Sequence, residues 1–233
     1  MKVVRILVDA LTLVLGKLKR RQKKRLPPDW SKVKVNIGCG LAVCRGWVNI
    51  DGSLNALIAT WPVFVHRIMY RLTGANQYYS REEYCRLLGE NYFIHHDLSF
   101  GIPLQDAVAD FVYSSHFLEH LYRRDGENLL CHAYRILKPG GVLRICVPDL
   151  EYAVALYARG EKKKMLESYF FVEDDNSYYA RHKYMYDFAM LKTALEQIGF
   201  HDVRRCAYRE GAMLDLEKLD NRPEETLFVE AIK

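Results

Sequence analysis

The chain has 233 residues, half of them hydrophobic, and this length suits one large domain that buries a core of its own. Its net charge of +5 is uneven, because residues 1–25 carry a net +8 and the remaining 208 residues sum to −3. No basic patch with interleaved aromatic residues recurs after residue 25, which argues against a nucleic-acid partner.

Six cysteines are scattered along the chain without a CxxC pair: Cys39, Cys44, Cys85, Cys131, Cys146 and Cys206. This pattern favours reduced thiols over a disulfide framework. We therefore expect a cytoplasmic protein.

Residues 1–28 are predicted to form a basic amphipathic helix followed by a linker. The apolar run that begins the chain is interrupted by Arg5 and Asp9, so it is too short and too charged for a membrane span or an export signal. Seven of the nine residues in Lys17–Arg25 are basic, which suits anionic lipid head groups. A peripheral position at the inner face of the membrane is one expectation, and a partner helix or a frayed tail is the alternative. Pro27-Pro28 is expected to end the helix.

From residue 29 onward, short runs rich in β-formers alternate with helical patterns, which is typical of an α/β domain with a mostly parallel sheet. The predicted strands are 33–37, 47–50, 92–96, 109–115, 142–147, 203–208 and 226–232. One helix is predicted over 128–138, before a turn at Pro139-Gly140-Gly141, and another over 189–200 with Gly199 as its cap.

An insert over residues 52–91 does not fit the alternation of strands and helices. It contains LIATWPVFVHRIMYRL, which is apolar on more than one side and is interrupted by Pro62. We expect this segment to pack into the core, and a substrate or a lipid surface is the alternative partner.

Small and polar residues follow the predicted strands. In an open parallel sheet, ligands bind outside the carboxyl ends of the strands. The residues at these ends are Gly38, Cys39, Gly40, Asp51, Asp97, Ser114, Ser115 and His116. Glycines allow close approach to the backbone, and a carboxylate after the second strand can accept hydrogen bonds from both ribose hydroxyls. Neither GxxxxGK[ST] nor GxGxxG is present, so the pattern favours a nucleoside without a phosphate, such as S-adenosylmethionine.

Several motifs in a fixed order resemble those of the class I S-adenosylmethionine-dependent methyltransferases, most closely the methyltransferase type 11-like group. They are VNIGCG with GWVNID, HDLSFGIPL, ADFVYSSHFLEHL, RILKPGGVLRICVPDLE and a late helix that ends in IGF. The resemblance implies a Rossmann-like sheet of seven mostly parallel strands with the last strand antiparallel, helices on both faces, and a methyltransferase domain over 29–233.

The same resemblance implies roles in holding S-adenosylmethionine. Gly38 and Gly40 would line its methionine end, and Asp51 would hold the ribose. Asp97 and the backbone of Leu98 would meet the adenine.

Further cofactor contacts are implied near the methyl group, where Ser114, Ser115 and His116 would pass beneath the cofactor. Cys39 is expected to be a small residue under the cofactor, since nothing at metal-ligand spacing accompanies it. Asn36 stands where the family usually has an acidic residue.

Only six residues separate Gly40 from Trp47, which leaves little room for the helix that ordinarily connects the first two strands. The cofactor pocket is therefore expected to be more open on that side, or to be closed by the N-terminal helix or the insert.

Three residues are candidates for catalysis. His116 is the first choice for a general base and His182 the second, because a histidine titrates near neutral pH. Asp149 follows the fifth strand and is expected either to orient the acceptor or to cap the helix that begins there.

The acceptor is predicted to be a hydroxyl of a saccharide or of a lipid-linked envelope intermediate, by association with enzymes of similar size. A small metabolite remains open, and so does a non-catalytic scaffold that binds S-adenosylmethionine or the membrane.

HFLEH, residues 116–120, also matches the HxxEH pattern of zinc peptidases. The match begins at the end of a predicted strand and not inside a long helix. We therefore expect no metal ion, with Glu119 and His120 fixing the loop.

Overall fold

A computed structural model describes residues 14–19, 23–26, 30–170 and 181–233. Most of the predicted Met1–Arg25 helix and the Pro27-Pro28 linker lie outside these residues. Residues 14–19 are helical, but Lys24 forms an isolated parallel bridge with Leu104. The prediction of one helix through Arg25 is therefore wrong, because the chain is extended at residue 24.

Seven strands form one mixed sheet in the order β3-β2-β1-β4-β5-β7-β6. They are β1 (Lys34–Ile37), β2 (Val48–Asp51), β3 (Tyr92–His95), β4 (Ala109–Ser115), β5 (Leu137–Pro148), β6 (His201–Cys206) and β7 (Thr226–Ile232). Strands β1 to β5 pair in parallel, while β7 runs antiparallel to both β5 and β6. The predicted Rossmann-like methyltransferase sheet is thereby confirmed.

Besides the helical residues 14–19, the described part of the chain contains eight α-helices. They are α1 (Leu54–Ile58), α2 (Val63–Leu72), α3 (Arg81–Glu90), α4 (Arg123–Ile136), α5 (Leu150–Ala158), α6 (Lys162–Met165), α7 (Phe188–Ile198) and α8 (Leu216–Leu219). Helices α4 and α7 bury apolar residues in the main core on one face of the sheet, whereas α1, α3 and α8 belong to clusters that include residues of the other face. Gly199 ends α7 with a φ of 115°, as its predicted capping role requires.

The connection between β1 and β2 covers residues 38–47, all of which the structure describes, and it contains no helix. A C-terminal segment covers the sheet there instead. Trp47 is fully buried against it and donates from Nε1 to Asp215 Oδ2 at 2.9 Å. Met213 and Leu216 pack in the same apolar cluster. The missing crossover helix is thus replaced by residues from the end of the chain.

The insert is only partly buried, which corrects the expectation that its apolar segment packs into the core. Ile58 of α1 and His66 of α2 are buried, and Tyr70 of α2 is partly buried against the cluster of α1 and α3. The opposite side of α2 leaves its apolar side chains in solvent. The exposed fractions include 64% for both Phe64 and Ile68. A helical apolar pattern does not by itself show whether a partner lies within the same domain.

A buried guanidinium joins β5 to β7 and to the C-terminal segment. Arg144 lies opposite Glu230 in the antiparallel register and donates to its Oε1 at 3.1 Å. It also donates to Asp220 Oδ2 at 2.6 Å, and to the carbonyls of Ala207 and Glu210. Each charge is compensated by an opposite charge, so removal of one partner leaves an unpaired charge in the core.

We expect Asp220→Ala to lower the free energy of unfolding by about 3–5 kcal/mol, because it breaks a buried ion pair. Denaturant titration measures this change. Glu127→Ala is the matched control, since it removes the exposed ion pair between Arg123 and Glu127, a type of pair worth about 1 kcal/mol or less. Equal losses in the two variants would contradict a structural role for the network.

Candidate active site

The turn after β1 and the end of β2 are joined by one carboxylate. Gly38 and Gly40 have φ values of 68° and 51°, a region that favours glycine. Asp51 accepts from Gly40 N at 2.8 Å and from Ser53 N at 2.7 Å. No described heavy atom lies within 4 Å of the position that a Cβ at Gly40 would take. The turn therefore offers open space beside a fixed carboxylate, which fits the amino-acid and ribose parts of S-adenosylmethionine.

Asn36 and Cys39 are turned away from this space. Asn36 is buried and donates from Nδ2 to Ala42 O at 2.9 Å, which holds the turn in shape. Cys39 packs into the apolar cluster of α1 and α3, and burial raises the pKa of its thiol well above the ordinary value. Their roles follow from these contacts: Asn36 positions the turn, and Cys39 can offer the cofactor only its backbone.

The aromatic ring of Phe117 packs directly against Gly38. A Cβ at Gly38 would overlap that ring, so glycine is required for the two segments to approach. Phe117 directly follows His116, and its ring also packs on the main core. The contact places Phe117, the neighbour of His116, over the turn that is predicted to line the methionine end of the cofactor.

The predicted adenine-binding residues lie at the end of β3. Asp97 accepts hydrogen bonds from Ser99 N at 3.0 Å and Ser99 Oγ at 2.7 Å, while Leu98 is buried in the core. The N-terminal helix reaches this point, since a Cβ at Gly16 would lie 2.9 Å from Asp97 Oδ2. Lys19 Nζ also lies 3.2 Å from His95 Nδ1. Residues 14–19 therefore lie over the end of β3, whereas the side left open by the short β1–β2 connection is covered by the C-terminal segment.

Strand β4 ends in Ser114 and Ser115, and His116 follows with a φ of 49°. Positive φ is uncommon for residues other than glycine and costs of the order of 1 kcal/mol. Ser114 is buried, and its hydroxyl has no hydrogen-bond partner among the residues described. The His116 ring is held by Thr226, whose Oγ1 lies 3.1 Å from Nε2. The strained turn thus holds the imidazole at the carboxyl ends of the parallel strands.

Glu119 lies between two histidines. Its Oε1 is 3.5 Å from His116 Nδ1 and 3.9 Å from His120 Nε2. Burial would raise the pKa of the Glu119 carboxyl, but the two neighbouring imidazoles outweigh burial and lower it. The pKa of His120 is lowered because burial disfavours its charged form. Both pKa values are lowered, which favours an ionised carboxylate beside a neutral imidazole.

His182 comes to the same place from a distant part of the chain. Its ring centroid lies 5.0 Å from that of His120, and its Nδ1 is 2.7 Å from Tyr169 O. The structure thus brings His116 and His182, the two predicted bases, to either side of Glu119 and His120. Glu119 was expected only to fix the loop, although the pattern HFLEH marks it in the sequence.

Asp149 takes the capping role that was one of its two predicted functions. Its Oδ1 accepts from Glu151 N at 2.9 Å at the start of α5, and its Oδ2 lies 3.7 Å from Arg205. Burial raises the pKa of this carboxyl. An additional role in orienting the acceptor stays a prediction.

Sequence comparison finds one family. Residues 59–145 match the family described as a methyltransferase domain. The matched stretch runs from the insert into β5 and includes HFLEH, and it leaves out the glycine turn. No match to the chain was found among curated proteins.

Solved structures share the whole fold at low identity. A SAM-dependent methyltransferase from Archaeoglobus fulgidus is 17% identical with a TM-score of 0.51, and the alignment covers 97% of this chain and 94% of that one. One from Thermotoga maritima is 16% identical with a TM-score of 0.50, covering 99% and 91%. At these identities, the likeness supports the fold alone.

The sequence match over residues 59–145 and the strand order support a class I methyltransferase. They support an enzyme that uses S-adenosylmethionine as its cofactor. Within the described residues, none of the helices is both long and apolar enough to cross a membrane.

We expect Asp51→Ala to raise the Kd for S-adenosylmethionine about 10- to 100-fold. The variant loses the predicted hydrogen bonds from the two ribose hydroxyls to the carboxylate, and it also loses the bond from Gly40 N that shapes the turn. Isothermal titration calorimetry measures this change. Asp106→Ala, at an exposed carboxylate, should leave the Kd unchanged. Wild-type affinity in Asp51→Ala would contradict the ribose assignment.

Proposed function

We propose that the enzyme methylates a hydroxyl of a saccharide or of a lipid-linked envelope intermediate while it is docked on an anionic membrane. The pairing of His116 with Glu119 at the sheet edge supports a hydroxyl acceptor. The exposed apolar face of α2 supports docking on a lipid surface. A hydroxyl is a weak nucleophile unless a base removes its proton, and a positioned imidazole is suited to that step.

His116 supplies the base in this proposal. With Nδ1–H directed at Glu119, its Nε2 is left as a proton acceptor, and Thr226 Oγ1 lies 3.1 Å from it. The acceptor hydroxyl takes the place of the Thr226 hydroxyl and gives its proton to Nε2. The carboxylate of Glu119 then stabilises the imidazolium. His182 is the second candidate for the base, and Asp149 for orienting the acceptor.

S-adenosylmethionine, when bound, supplies a methyl group on a positively charged sulfur. The glycine turn and Asp51 hold its amino-acid and ribose parts in this proposal. Ser114 and Ser115 lie next to His116, so the end of β4 would connect the cofactor side of the crevice to the base. The work of the protein is then to align the hydroxyl with the methyl group and to exclude water.

Helix α2 and the residue pair before it present an apolar stripe at helical spacing. Trp61, Phe64, Ile68 and Leu72 are each between 49% and 64% exposed. Arg67 and Arg71 are exposed between them. A helix with aromatic and aliphatic residues beside basic ones suits the interface of an anionic bilayer. The basic residues of Lys17–Arg25 were predicted to favour the same surface.

We expect His116→Ala to lower kcat about 10²- to 10⁴-fold with little change in the Kd for S-adenosylmethionine, since only the base is removed. Transfer of labelled methyl to an envelope extract, separated into lipid, saccharide and small-molecule fractions, measures activity and identifies the acceptor class. His201→Ala is the control, because its side chain is 60% exposed beside Asp202.

Three results of the methyl-transfer assay would count against the proposal. Equal turnover in His116→Ala would remove this residue from the mechanism. Label confined to the small-molecule fraction would contradict the acceptor class. Binding of the cofactor without transfer to any fraction would favour a non-catalytic scaffold.

We expect the double variant Phe64→Ser, Ile68→Ser to lose at least about tenfold in binding to anionic vesicles, because burial of each large apolar side chain contributes about 1.5–3 kcal/mol. Co-sedimentation with phosphatidylglycerol vesicles measures partitioning. The double variant Val154→Ser, Tyr157→Ser is the matched control, since these α5 side chains are 62% and 53% exposed. Equal partitioning of the two double variants would contradict docking through α2.

A further inference from the structure

Three side chains with metal-binding atoms converge next to His116. One ligand atom from each of Glu119, His120 and His182 lies within 4.8 Å of the other two. Two of these residues are adjacent in the sequence and the third comes from the segment before α7. Two imidazoles and a carboxylate are the ligand set of several catalytic zinc sites.

The carboxylate of this cluster has no hydrogen-bond donor at good distance, although it is buried. Glu119 is completely buried, and neither of its carboxylate oxygens has a hydrogen-bond partner among the described residues. The two nearest imidazole nitrogens lie at 3.5 Å and 3.9 Å, beyond good hydrogen-bonding distance. A buried carboxylate with no donor is costly, and a cation between it and the imidazoles would remove that cost.

Both histidines are oriented as metal-binding histidines are. His120 Nδ1 lies 3.3 Å from Arg181 O, and His182 Nδ1 lies 2.7 Å from Tyr169 O. A carbonyl can only accept, so each Nδ1 carries the proton and each Nε2 keeps its lone pair. Donation from one ring nitrogen to a backbone carbonyl fixes the imidazole of a metal ligand in many proteins.

The two segments that carry the ligands are tied together by the backbone. Lys183 N donates to Glu119 O at 2.7 Å, and Lys183 Nζ donates to His120 O at 2.8 Å. Lys183, directly after His182, is thus fixed to the backbone of the Glu119-His120 pair. Side-chain rotation alone remains for the ligand atoms to close on an ion.

We propose that Glu119, His120 and His182 bind a divalent transition-metal ion. Ligands at about 2.1 Å from zinc lie roughly 3.4 Å apart, so the cluster has to contract by little more than about 1 Å. Mixed imidazole and carboxylate ligands favour zinc, iron or manganese over magnesium and calcium. His120 and His182 are partly exposed, which gives the ion a path of entry and leaves a coordination position toward solvent.

This site deepens the proposed function but does not depend on it for binding. An acceptor oxygen at the open position would be polarised by the ion and would lose its proton more readily to His116. Metal binding is measured without any acceptor. Failure of metal binding and failure of the proposed acceptor class are therefore separate results.

Zinc titration of the full chain tests the proposal, with manganese as a second probe. After chelator treatment, we expect one zinc per chain by competition with a chromogenic chelator, and a higher Tm in its presence. His120→Asn and His182→Asn should each weaken zinc binding by at least about 10- to 100-fold and abolish the Tm shift. His201→Asn, at an exposed histidine outside the cluster, should bind zinc as the wild type does.

Two outcomes would overturn the metal site. One is a content of both metals well below one per chain in the wild type, and the other is unchanged zinc affinity in the two cluster variants. Because both substituted side chains are partly exposed, far-UV circular dichroism of these variants should match the wild type. If one of them unfolds, the other variant decides the result by the same affinity criterion.

Discussion

The buried guanidinium of Arg144 is the interaction on which the cover of one sheet face depends. The chain between β1 and β2 is too short for a helix, so residues 38–47 leave apolar strand residues to be covered by another segment. Residues 207–220 cover them, and Arg144 binds both Asp220 and the carbonyls of Ala207 and Glu210 in that segment. Residues 207–220 thus take the place of a crossover helix, and their hydrogen bonds and ion pair with Arg144 hold them on the sheet. Apolar packing of Trp47 against this segment then becomes possible.

The crevice divides into two parts with different physical character. The part at β1 and β2 is built from backbone, because the glycine turn is shaped by positive φ and tied to Asp51. The part beyond β4 is built from titratable side chains around the buried Glu119. Backbone contacts suit a cofactor that is the same in every turnover, whereas side chains suit proton transfer or a metal ion. His116 lies where the two parts meet, and its strained φ holds it there.

The sequence predicts those features that depend on neighbours along the chain. Strands 109–115 and 226–232 were predicted at their observed bounds, and so was the αL cap at Gly199. Strand β5 begins earlier than predicted, because Leu137, which was predicted to be helical, pairs with Ala109 of β4 before a register shift. Arg144 was missed because its acidic partners are 76 and 86 residues away. The same limit hid the contact of His182 with HFLEH.

The exposed face of α2 shows why composition alone did not assign the insert. Its apolar spacing is the same whether the partner is a core or a lipid surface. The packing of His66 toward Ile58, with Tyr70 partly buried on the same side, shows which side faces the domain. Once that side is fixed, Phe64 and Ile68 have to point outward. The N-terminal helix lies with Gly16 against Asp97, so a segment predicted to be amphipathic turns part of its surface toward the domain. Of the two segments that were expected to close the cofactor pocket, this one lies at the end of β3, whereas α2 of the other leaves an apolar stripe exposed.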